Sequence, residues 1–104
     1  MIQIDTELVI AGLLSLSDKP VTSERMWDVR TAFYKTREEY IVDISRDSTI
    51  WCTQRYSWFE STPEGIILTD KKDKEKILNR FLGNCPYKDE IKGIFKDFIE
   101  KENK

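Results

Sequence analysis

Leu8, Val9, Ile10, Leu13, Leu14 and Leu16 extend around most of a helical cylinder instead of lining one stripe. That pattern predicts a helix from about Glu7 to Leu16, buried on more than one side and capped by Asp5 or Thr6. A strand is the competing reading for an apolar run this short. Ser17-Asp18-Lys19-Pro20 breaks the chain, because proline cannot continue a helix. A second helix is predicted from Ser23 to about Tyr34, with Thr22 or Ser23 as its cap and Glu24 at the positive end of its dipole. Met26, Val29 and Phe33 define its inner face, while Trp27 and Tyr34 lie on a flank with Arg30 near them.

From Glu39 the period changes to two. Tyr40, Val42 and Ile44 alternate with Ile41 and Asp43, and the residue types favour a strand. After the polar turn Ser45-Arg46-Asp47-Ser48, a long strand is predicted from Thr49 to about Glu60. Ile50, Cys52, Tyr56 and Trp58 would form one face, and Trp51, Thr53, Arg55, Ser57 and Phe59 the other. A turn over 60–65 leads to a third strand at Ile66-Ile67-Leu68-Thr69. Connections this short imply an antiparallel meander. A charged helix, Lys71–Leu82, follows; a last one runs from Pro86 to about Lys101, with Ile91, Ile94, Phe95, Phe98 and Ile99 at helical spacing and the tail Glu102-Asn103-Lys104 frayed. The fold class expected is therefore α+β: two N-terminal helices, a three-stranded antiparallel β-meander and two C-terminal helices, in a single α+β domain covering 1–104.

Composition fits that size. The chain has 104 residues, 39% hydrophobic and 35% charged, enough for one core and too few for two. Its 17 Lys and Arg nearly balance 19 Asp and Glu, so no overall positive field draws it onto a phosphate backbone. Cys52 and Cys85 are too few for a disulfide framework and read as reduced thiols. The first residues lack the basic region of a signal peptide, and the longest apolar run is about half of the ~20 residues that span a bilayer. The expectation is a cytoplasmic protein with no membrane association.

Histidine is absent altogether. That removes Ser-His and Cys-His nucleophile pairs and His-containing zinc sites within the chain. The four glycines are isolated from one another, so there is no phosphate-binding loop. Asp70, Asp73 and Glu75 read as a capped first turn and not as a cation site, since the glycine and the bidentate glutamate of a calcium loop are missing. The chain is expected not to be an enzyme and to need no cofactor or metal.

Binding candidates remain. Trp51, Arg55 and Phe59 would lie in one row on the odd face of the long strand, and all are types that anchor interfaces. Two apolar sheet faces more often mean that both are covered, which would bury Trp51 and Phe59. Trp27 and Arg30 form a second candidate. For nucleic acid, the candidates are Arg46, Arg55 and the lysines Lys88, Lys92 and Lys96, which recur every four residues, although acidic neighbours dilute their field.

Lys19-Pro20-Val21-Thr22-Ser23-Glu24, following an apolar helix, resembles the lead-in to the second helix of winged helix-turn-helix domains. Thr62-Pro63-Glu64-Gly65-Ile66-Ile67-Leu68-Thr69-Asp70 resembles their last wing strand and closing helix. The resemblance implies a DNA-binding regulator. Where that family carries its recognition helix, however, Tyr40-Ile41-Val42-Asp43-Ile44 reads as a strand, so the winged helix is the alternative fold. The leading functional expectation is a small regulatory or inhibitory protein acting on another protein. A nucleic-acid-binding transcriptional regulator and a non-catalytic subunit of a larger assembly are the alternatives.

Overall fold

The computed structural model describes residues Met1–Lys104. In chain order its elements are β1 (Ile2–Ile4), α1 (Thr6–Ser15), α2 (Ser23–Thr36), β2 (Tyr40–Val42), α3 (Arg46–Arg55), β3 (Phe59–Thr62), β4 (Gly65–Leu68), α4 (Lys74–Leu82) and α5 (Lys88–Glu102). It is a mixed helix-and-strand fold, with five helices and two small sheets of two strands each.

The apolar girdle of α1 explains its position at the centre. Every residue from Leu8 to Leu14 is buried, and the helix packs against α2, α3, α4, α5 and β4. A cylinder that is apolar all round must be covered all round. Gly12 marks its tightest contact. A Cβ there would lie 2.2 Å from the ring of the fully buried Phe95, so the missing side chain is what lets α5 sit against α1.

The three-stranded meander is not formed. Tyr40–Val42 is a strand, but it pairs in parallel with β1, Ile2 opposite Tyr40 and Ile4 opposite Val42. The connection between them runs through α1 and α2, long enough for a parallel crossover. The stretch expected as one long strand from Thr49 to Glu60 is divided: its first part belongs to α3 and only its end to β3. Antiparallel β3 and β4 meet through a tight turn at Pro63-Glu64, with Phe59 opposite Leu68 and Thr62 opposite Gly65. Gly65 has φ +131°, and a Cβ there would lie 2.6 Å from the carbonyl oxygen of Val21. That close approach lets Val21 exchange two backbone hydrogen bonds of 2.9 Å with Ile66 on the free side of β4.

Two carboxylates on α5 tie its two ends to the rest. The guanidinium of Arg25, 4% exposed, donates from Nε and Nη2 to Glu102 at 2.8 and 2.6 Å, and from Nη1 to the carbonyls of Lys19 and Pro20. The expected fraying of the tail is thus corrected at Glu102, which closes a buried bidentate pair. At the other end Glu90 accepts from the Tyr40 hydroxyl at 2.7 Å and from Arg37 Nε at 2.8 Å. Hydrogen bonding by Arg25 holds the Glu102 carboxyl below its ordinary value, and Tyr40 followed by Arg37 does the same for Glu90.

Two outcomes follow from this packing. Gly12→Ala gains about 1 kcal/mol of helix propensity but forces a methyl into a locked ring, at an overpacking cost of about 1–3 kcal/mol. A net fall in the melting temperature is expected, read by circular dichroism. Glu102→Ala strands the buried Arg25 charge and should destabilise the fold by about 3 kcal/mol in urea titration. Both carboxyls have depressed folded-state values, so their contribution is present above the ordinary glutamate value of 4.5 and is lost as pH falls below it. The acid limb of the stability profile should accordingly flatten in Glu102→Ala.

Candidate interaction surface

α3 is built by local signals that outweigh its strand-like residues. The Ser45 hydroxyl accepts from the Ser48 amide at 3.0 Å, the Thr49 hydroxyl donates to the Ser45 carbonyl at 2.8 Å, and Asp47 and Arg55 sit at the helix ends that favour their charges. Inward, the helix buries only Cys52, which faces α1. Burial raises the Cys52 thiol to about 12, with the neighbouring Glu7 carboxylate adding to the effect. Outward, α3 presents Arg46, Ile50, Trp51, Gln54 and Arg55 to solvent. Ile50 and Trp51 are 44% and 47% exposed, and the Arg55 guanidinium lies 5.2 Å from the Trp51 ring centroid.

The expected row of Trp51, Arg55 and Phe59 is therefore corrected in part. Helical spacing brings Trp51 and Arg55 together on one face, four residues apart. Phe59 is buried at 3% exposure under Tyr56 and Phe81 and belongs to the core. The alternative in which both Trp51 and Phe59 are covered holds for Phe59 alone. In place of Phe59, the surface continues through Tyr56 and Trp58, whose rings stack at 5.7 Å with only 7° between their planes. Arg80 of α4 follows, 5.0 Å from the Trp58 ring.

Trp27 is exposed on α2, and Arg30 lies 4.9 Å from its ring and 4.4 Å from that of Tyr34. A cleft of about 290 Å³ separates Trp27 from α3, with Met26, Ile44 and Arg46 among its walls. Trp27 and the first turn of α3, at Arg46 and Thr49, thus flank one depression. Lys92 and Lys96 line a different cleft, of about 450 Å³, between the end of α1, α4 and α5, where they mix with Glu75 and Asp89. The structure does not bring them together with Arg46 and Arg55.

No three Cys, Asp or Glu side chains gather closely enough to hold a metal ion. Asp70 accepts from the Lys72 amide at 2.9 Å in a turn, and Asp73 stands at the N-terminus of α4. No helix is long and apolar enough to cross a membrane. The surface residues missed from sequence are Ile50, Tyr56 and Trp58. The cap Ser45-x-x-Ser48 was the available signal, because it starts a helix that turns Ile50 and Trp51 outward. No protein-family model, curated protein or solved structure matches this chain.

The thiols should report this geometry. In the native protein, Ellman's reagent should titrate the partly buried Cys85 and leave Cys52 unreacted until denaturant is added. Rapid native reaction at both cysteines would show that α3 does not lie on α1 as described.

Proposed function

We propose that this chain is a small cytoplasmic regulatory or inhibitory protein that acts by binding another protein through the outer face of α3. One observation carries the reading. Ile50 and Trp51 stand side by side, nearly half exposed, on a helix whose packing needs only Cys52. Large apolar side chains left nearly half exposed, beside an arginine held against an aromatic ring, have the composition of an interface centre. Trp27 lies across a cleft from the first turn of the same helix. The surrounding charge is mixed: Arg46 and Arg55 share the helix with Asp47, and Glu60 and Glu64 stand on the adjoining hairpin. That mixture suits a protein surface better than a phosphate backbone.

A second reading is supported by the order of elements. The series α1, Val21, α2, α3 and the β3–β4 hairpin follows the order of winged helix-turn-helix domains, with Val21 lying beside β4. In that reading α3 stands where the recognition helix does, and Arg46, Gln54 and Arg55 would face the groove. The helix sits a few residues later in the chain than the strand-like stretch 40–44. Acidic residues on the hairpin, and a net charge of −2, weigh against it.

The two readings separate in one experiment. Tagged wild type and Ile50→Ala/Trp51→Ala, with matching circular dichroism, are used to capture material from native lysate at low and high salt. A stoichiometric protein held by wild type at high salt and lost by the double variant, by about a hundredfold in affinity, is expected. Nucleic acid released steeply as salt rises, with no protein dependent on Ile50 and Trp51, would overturn the proposal in favour of the second reading.

A further inference from the structure

We infer that the partner presents an acidic segment bearing an apolar side chain, and that it docks on a ladder of cations and aromatic rings running from α3 to α4. The inference rests on the protein-binding reading and extends it beyond the Ile50–Trp51 face. Arg55 lies over both Trp51 and Tyr56, at 5.2 and 5.8 Å, Tyr56 stacks on Trp58, and Arg80 lies over Trp58. Phe81 packs edge-on beneath Tyr56 and Trp58, fixing both rings. Beside the ladder is a cleft of about 430 Å³, walled by Trp58, Ile77, Lys76, Arg80 and Asp73.

Charge identifies the occupant. Arg55, Lys76 and Arg80 have no carboxylate within 4.0 Å, as is also true of Arg30, Arg46 and most surface lysines, but these three gather along one aromatic wall. A guanidinium lying against a ring keeps its in-plane N–H groups free, and those groups fit a carboxylate in bidentate fashion. The indole and Ile77 give the cleft an apolar wall, so the complementary ligand carries an apolar side chain between its acidic groups. Single-stranded nucleic acid is less well matched. Tyr56 and Trp58 stack on each other and carry Arg55 and Arg80 at 5.8 and 5.0 Å, so their rings are already engaged, and base stacking needs open faces. Asp73 is the one acidic wall of the cleft, and its charge opposes the ligand.

The test uses the whole chain and two fluorescent probes, a peptide of repeating Asp-Asp-Leu and an oligodeoxythymidine, read by anisotropy. The peptide should bind, its Asn-Asn-Leu counterpart should not, and Arg55→Glu or Arg80→Glu should each weaken binding by about tenfold or more. Asp73→Asn should tighten it, while Lys92→Glu, in a separate cleft, should leave it unchanged. Arg80→Gln, which keeps the aliphatic stem over Trp58, serves if the reversal unfolds the chain. The inference is overturned if the peptide does not bind, if Lys92→Glu weakens it as much as Arg80→Glu, or if only the oligonucleotide binds. A peptide that fails while Ile50→Ala/Trp51→Ala still loses its protein partner removes the acidic segment and leaves the α3 contact standing.

Discussion

The structure depends on one helix that has no outside. α1 is apolar around its circumference, so it is stable only if neighbours enclose it, and the four other helices and β4 do so. Gly12 sets how closely α5 approaches, and Phe95 fills the space a side chain would have taken. Once α1 is covered, each surrounding helix needs only a narrow inner stripe. For α3 that stripe shrinks to Cys52. A helix that contributes so little to the core is free to carry large exposed side chains, and Ile50 and Trp51 are the result.

Electrostatics then fixes the enclosure from its two ends. Glu102 and Glu90 are a helix length apart on α5, and each accepts paired donors from a different part of the chain: Arg25 near the start of α2, and Arg37 with Tyr40 at the junction of α2 and β2. Surface ion pairs contribute little, but a guanidinium that is 4% exposed has no water to replace its partner. These clamps hold α5 over the α1–α2 layer, and no ion pair ties α3 or the β3–β4 hairpin. Arg55, Lys76 and Arg80 are three of several cations without an ion-pair partner, and they gather around Trp51, Tyr56 and Trp58. That gathering of cations and aromatic rings beside α3 is the structural basis of the functional reading.

Strong periodicity was legible in the sequence. The all-round apolar run of α1, the stripes of α2 and α5, and the Pro63-Glu64-Gly65 turn each had a local cause strong enough to be read alone. The stretch 46–60 did not. Thr49, Ile50, Trp51, Thr53 and Tyr56 carry β propensity, and with aromatics at both even and odd positions a strand with two apolar faces accounts for them as well as a helix does. The cap at Ser45 and the docking of Cys52 on α1 decide the matter, and the second of these is tertiary. Misreading the helix also misplaced Phe59, which joins the core because β3 begins there. Pairing of β1 with β2 was hidden for a different reason: three residues at the start of a chain leave no period to detect, and their partner is supplied by a crossover through two helices.

The exposed Ile50–Trp51 surface exists only if residues 46–55 form a helix laid on α1. Backbone carbon chemical shifts of the isotopically labelled chain address this residue by residue. Positive Cα secondary shifts in an unbroken run from Arg46 to Arg55, changing sign at Phe59, are the predicted result. Negative shifts from Thr49 onward would describe a strand, and would contradict both the helix and the surface assigned to it.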